Sequence, residues 1–128
     1  VRSRGLGDVY KRQHLHDCHV CNRIYKQSAM IVNTTFYVEP ALKSEFEGWA
    51  RDCYVAAAVK STGYVSSMVM RLLVEIEAGA GYAVQLRFAD DDAARHWDNA
   101  VAPELLAAAA KRWGERMVHF TTFMEELV

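Results

Sequence analysis

From Ile31 to Glu39 the chain reads "IVNTTFYVE", β-branched and aromatic residues alternating with polar ones at the period of a strand. Pro40 follows, a residue suited to the first turn of a helix. Along 41 to 61, Leu42, Phe46, Trp49, Cys53 and Ala57 recur at steps of three and four, with Lys43, Glu47, Arg51 and Lys60 elsewhere. This spacing predicts an amphipathic helix that carries Cys53 on its apolar stripe as a small buried hydrophobe and closes at Thr62-Gly63. "YVSSMVMRLLVEIE", Tyr64 to Glu77, reads as a second strand, "AGAG" at 78–81 as a turn, and "YAVQLRFA" as a third strand, together a β-hairpin. Asp90 stands at an N-cap position, with Asp91 and Asp92 at the positive end of a helix dipole. Trp97 and Val101 begin the stripe of that helix, and Pro103 interrupts it. Leu105, Leu106, Ala109 and Trp113 carry a second helical piece to Gly114. "MVHFTTFMEEL" completes a fourth strand.

The order β, α, β, β, α, β, with the second helix broken near Pro103, predicts a ferredoxin-like α+β domain whose four-stranded antiparallel sheet carries both helices on one face. Alternation sorts each strand into two sets. One set is strongly apolar and is expected under the helices: Val32, Phe36 and Val38; Met68, Met70, Leu72, Val74 and Ile76; Tyr82, Val84, Leu86 and Phe88; Val118, Phe120 and Met124. The other is mixed: Ile31, Asn33, Thr35 and Tyr37; Val69, Arg71 and Leu73; Ala83, Gln85 and Arg87; His119, Thr121 and Phe123. Ile31, Tyr37, Leu73 and Phe123 would leave an apolar patch on this second face that monomers seldom expose. A second copy packed sheet on sheet would cover it, so the expected assembly is a homodimer through this face.

Residues 1–29 follow another pattern. They hold six basic residues against two acidic ones and show no sustained apolar period, which marks a segment that builds no core. No apolar run long enough for a secretory signal occurs in them, and Gly5, Gly7 and two acids interrupt any presequence-like helix. Back-translated, Ser3 to Gln13 resembles the transposase adapter of sequencing libraries read in an open frame, as expected of a metagenomic assembly. Residues 1–29 are therefore expected to be a non-native or disordered leader, 14–29 being translated untranslated sequence ahead of Met30. His14, His16, Cys18, His19 and Cys21 in this stretch are soft N/S ligands that can hold zinc. No second ligand group follows them, and they are expected to form at most an adventitious site.

Without the leader, residues 30–128 are one domain's length and hold fourteen acidic residues against nine basic, a charge of −5 that the whole-chain value of −1 conceals. An acidic surface without a basic stripe argues against nucleic-acid binding. No stretch is apolar enough to span a membrane. Cys53 alone remains after the leader is removed, which excludes a disulfide scaffold, and the expected location is cytoplasmic.

"MIVNTTFYVEP", "GYAVQLRF" and "HFTTFMEEL" resemble a family of short bacterial proteins classed as a domain of unknown function, and the resemblance covers nearly all of Met30 to Val128. It implies the fold of dimeric α+β barrels. "DCYVAAAVKSTG" is similar to a family segment expected to carry proline where Ala57 stands, a departure that touches the end of the first helix. The resemblance brings no substrate, cofactor or catalytic residue. The fold it implies includes cofactor-independent monooxygenases, haem-degrading enzymes and isomerases beside members that only bind or build.

With strands in the order fourth, first, third, second, Asn33, Tyr37, Arg71, Gln85, Arg87, His119 and Thr121 are expected to form a polar cluster on the mixed face. Two guanidiniums there suit a carboxylate or enolate, and His119 suits proton transfer near neutral pH. The alternative gives the cluster to the dimer: Arg71 and Arg87 pair with Glu75, Glu77 or Glu125 across the interface and His119 hydrogen-bonds there. His96 beside Trp97 reads as a helix-surface residue. Trp49, Trp113, Phe46 and Met70 read as core. No phosphate loop, metal-ligand spacing or haem-pocket motif is present in residues 30–128, so no cofactor is expected. The leading expectation is a homodimeric domain with a binding or structural role; the rival is a cofactor-independent monooxygenase- or isomerase-like enzyme acting on a small acidic or aromatic metabolite.

Overall fold

The computed structural model describes residues 29–73 and 79–127. Strand β1 (Met30–Val38) leads into helix α1 (residues 40–59), whose first turn, Pro40–Leu42, is a tight one. Strands β2 (Tyr64–Arg71) and β3 (Ala80–Phe88) follow, then helix α2 (residues 91–113) and strand β4 (Met117–Glu125). The strands stand in the order β2-β3-β1-β4 with every neighbouring pair antiparallel, the expected ferredoxin-like arrangement. Val74 to Glu77 and the His/Cys cluster of the leader lie outside the described residues. Ala29 already belongs to the fold: it is buried, and its carbonyl accepts the Glu126 N–H at 3.2 Å.

Both helices pack on one side of the sheet around an aromatic core. Phe46 stacks on Tyr82 with ring centres 4.7 Å apart and on Phe36 at 5.0 Å, while Trp97 meets Tyr54 edge-on at 5.4 Å. Offset and edge-on pairs of this kind add attraction beyond the area they bury. Central strands β1 and β3 contribute Val32, Phe36, Val38, Tyr82, Val84, Leu86 and Phe88 to this core, as their alternation predicts.

Two wide, π-helical turns set the phase of the helices. In α1 the turn Ala50–Val55 inserts an extra residue into the stripe. The buried positions therefore run Leu42, Phe46, Trp49, Ala50, Tyr54 and Ala58, and Cys53, expected inside, is exposed. In α2 the turn Trp97–Val101 lies directly before Pro103. It interrupts the α-helical register where the proline ring would meet the preceding turn, so the helix changes pitch there and continues. Asp90 caps α2 as expected, its carboxylate accepting the Ala93 N–H at 2.8 Å, and Gly114 ends it at a positive φ of 59°.

Among the described residues β2 ends at Arg71, ahead of Leu72 and Leu73, and Ala80 and Gly81 belong to β3 rather than to the turn. Gly79, at φ 122°, passes so close to β1 that a Cβ would stand 2.1 Å from the Val38 carbonyl oxygen; only glycine fits there.

Candidate functional site

The register divides the predicted cluster. Asn33, Tyr37, Gln85 and Arg87 face the open side of the sheet, where Asn33 pairs with Gln85 and Ile31 with Arg87 across β1 and β3. Arg71 pairs with Tyr82, and His119 with Phe36, which places both on the helix side and at opposite edges. Thr121, likewise on the helix side, shares a 3.1 Å hydrogen bond with Thr34, whose hydroxyl also meets the Tyr54 hydroxyl at 3.1 Å. Arg71, Arg87 and His119 thus occupy three separate places. Within the chain Arg71 pairs with Glu47 and Arg87 with Glu126; Glu75 and Glu77, expected as partners across a dimer, lie outside the described residues.

The reason lies in the edge strands, whose phase is opposite to the predicted one. A bulge between Tyr64 and Ser66 shifts β2 by one residue, so Val69 and Arg71 face the helices while Met68 and Met70 face away. In β4, Met117, His119, Thr121 and Phe123 share the side of Phe36, while Val118, Phe120, Thr122 and Met124 look outward. Phe123 therefore leaves the predicted patch, with the Arg95 guanidinium 6.0 Å from its ring, and Leu73 lies beyond the end of β2. Met70, expected in the core, is half-buried.

Two surfaces result. The open sheet face carries Met68, Val118 and Phe120, each 54% exposed, around the polar row Asn33, Gln85 and Arg87. A small hollow there is lined by Ile31, Ser66, Ser67, Met68, Gln85 and Arg87. On the helix side, an open groove of about 330 Å³ runs between α1 and β2, lined by Glu47, Arg51, Val55, Val69, Met70, Arg71 and Tyr82. At its polar end one carboxylate oxygen, Glu47 Oε2, accepts the Tyr82 hydroxyl at 2.5 Å and Arg71 Nη2 at 2.8 Å. These two donors hold the Glu47 carboxyl below its ordinary pKa, the tyrosine bond being the larger cause. Burial and the neighbouring carboxylate push the Tyr82 hydroxyl up.

Sequence reasoning missed Glu47, Arg51 and Tyr82 as a site. Glu47 and Arg51 are one turn apart on α1 and read as its polar face; Tyr82 reads as core. The available signal was the hairpin pairing, which sets Arg71 opposite Tyr82. His96 is exposed and Trp97 fully buried, as expected for surface and core positions. Burial lowers the His119 pKa. Among the described residues, no group of three or more His, Cys, Asp or Glu side chains is placed to hold a metal ion, and no helix is long and apolar enough to cross a membrane.

The model of the domain of unknown function DUF4286 matches residues 29–127. The chain belongs to that family. No curated protein matches it significantly. Solved structures similar to the DUF4286 domain include NE2512, a protein of unknown function from Nitrosomonas europaea, at a TM-score of 0.60 and 15% identity over 80% of this chain and 93% of that one. A monooxygenase from the gene ActVA-Orf6 of Streptomyces coelicolor, solved with the ligand nanaomycin D, has a TM-score of 0.58 and 16% identity over 80% and 90% of the two chains. SnoaB, a cofactor-independent oxygenase from Streptomyces nogalater, has a TM-score of 0.56 and 17% identity over 79% and 95%. At these identities the likeness shows the ferredoxin-like fold.

Proposed function

We propose that this DUF4286 domain works as a homodimer closed through the open sheet face, and that the assembly has a binding role. One observation carries the dimer. Both edge strands turn their apolar side away from the helices: Met68 and Met70 on β2, Val118, Phe120 and Met124 on β4. A strand that had only its own helices to cover it would gain by turning these residues inward. Facing outward, they flank the polar row of β1 and β3 as two apolar strips, which a second copy covers with the same strips of its own. Asn33 Oδ1 supports the reading: it is buried on this face with no hydrogen-bond partner among the described residues, and an interface or its waters would supply a donor.

A second reading, an enzyme of the cofactor-independent oxygenase or isomerase kind, draws support from SnoaB and the nanaomycin-binding monooxygenase having this fold. Fold likeness alone is a weak warrant for chemistry. Native mass spectrometry under gentle conditions tests both readings. A clean dimer, twice the 14.5 kDa chain, is expected for the first. A dimer that carries a co-purified metabolite with a matching activity favours the second. A monomer overturns the dimer.

A further inference from the structure

The groove between α1 and β2 lies on the helix side of the sheet edge, and of its lining residues Met70 also belongs to the proposed dimer face. Its apolar lining comes from Val55 on α1, Val69 and Met70 on β2, and Tyr82 on β3. Two guanidiniums and one carboxylate stand around it. Arg51 is turned to its neighbour Asp52, with Nε 3.0 Å from Oδ1. Arg71 differs. Only its Nη2 reaches Glu47 among the described residues, and its side chain remains 54% exposed.

Guanidinium offers five N–H groups in a rigid fork and always stays charged. Arg71 can therefore take a second carboxylate without releasing Glu47. The charge of Glu47 is already countered, its Oε2 receiving the Tyr82 hydroxyl and Arg71 together, and with Arg51 on the same groove two guanidiniums stand against one carboxylate. The buried Tyr82 ring fixes the hydroxyl, the hydroxyl fixes Glu47, and Glu47 points Arg71 across the mouth of the groove. Such a chain of supports pre-organises the guanidinium before any ligand arrives.

We propose that this groove binds a monocarboxylate with an apolar body, the carboxylate on Arg71 and the body along Val55, Val69 and the Tyr82 ring. The proposal deepens the binding role above and does not depend on the dimer. Its volume falls at the small end of ordinary ligand pockets, with the expected mixture of apolar wall and few convergent polar groups.

Octanoate, octylamine and octanol share one chain and differ in the head, and titrating each into the full chain while following backbone amide shifts tests the proposal. Octanoate is expected to bind most tightly and to move the amides of Glu47, Val55, Val69 and Arg71. Arg71→Ala is expected to weaken octanoate about tenfold. Glu47→Gln keeps an acceptor for Tyr82 and Arg71 but removes a competing negative charge, and it is expected to tighten octanoate roughly threefold. A side chain that merely supported the fold would not shift affinity in opposite directions in these two variants. Val69→Glu, at a partly exposed position, is expected to abolish octanoate binding while leaving the fold intact. Octylamine binding as tightly as octanoate, octanoate indifferent to Arg71→Ala, shifts confined to the open sheet face, or no saturable shift with any probe would each overturn the site. Light scattering on the same sample reads the dimer separately: a monomer that binds octanoate sinks the dimer and leaves the groove standing.

Discussion

β1 and β3, in the middle of the sheet, send their apolar alternation under the helices, with Val32, Phe36, Val38, Val84, Leu86 and Phe88 almost wholly buried. β2 and β4, at the edges, send theirs the other way, and Met68, Val118 and Phe120 are left more than half exposed. The helices are too narrow to roof four strands. They cover the central pair, and the helix sides of the outer strands are mixed: Val69 and Arg71 at one edge, Met117, His119, Thr121 and Phe123 at the other. One face of the sheet thus holds the core in its middle and a mixture of polar and apolar side chains at its margins, while the opposite face gathers the apolar residues that the edge strands turn outward. The contrast teaches that an apolar alternation says which side of a strand is to be covered without saying by what.

The contrast can be broken hardest at the centre. Trp97 is fully buried between Tyr54 and Phe88, and Trp97→Ala is expected to cost about 3–5 kcal/mol in denaturant unfolding, enough to leave a marginal domain mostly unfolded. A loss below about 1 kcal/mol would mean that the core lies elsewhere. At the edge the same kind of residue is expected to act on assembly instead. Phe120→Asp, at a half-exposed position, is expected to leave the thermal midpoint of the isolated subunit nearly unchanged and to raise the dimer dissociation constant roughly a hundredfold, read by sedimentation equilibrium. An unfolded variant would make Phe120 a core residue and erase the distinction.

The smallest effect is at the helix-side margin of β4. His119 leans on Phe36 with ring centres 5.8 Å apart, and burial lowers its pKa below 6.5. The unfolded chain therefore takes up a proton before the folded one does. The stabilisation is complete above about pH 6.5, and it declines as pH falls below that value, down to the lowered pKa of the fold. Because the imidazole is only partly buried, the slope is shallow, and His119→Asn is expected to flatten it in melts taken between pH 7 and pH 5. A slope of the opposite sign would place an acidic partner on the imidazole.

Where one physical constraint acted on a residue, the sequence could be read directly. The alternation of β1 and β3, the Asp90 cap and the Gly114 stop followed from local rules, and the order of strands from the adjacency usual for the fold that the element order implies. Cys53 misled because a single π-helical turn moves every later position by one, handing its place to Tyr54; no sequence period records such an insertion. β2 misled through its bulge, and β4 because each of its faces carries large apolar residues, so period two has no preferred sign there. The Glu47, Tyr82 and Arg71 cluster joins three elements, and its members meet only once the hairpin register and the roll of α1 are both set. Separately each looks ordinary: a helix-surface acid, a core tyrosine and an edge arginine.

The homodimer through the open sheet face is the central claim, and nuclear Overhauser contacts between isotope-labelled and unlabelled copies in a mixed sample test it most directly. Contacts from one copy to the other among the Phe120 ring, the Met68 and Met70 methyls and Val118 are what a sheet-on-sheet dimer requires. Intermolecular contacts confined to the outer surfaces of α1 and α2, or none at concentrations well above those at which the protein is handled, would contradict it.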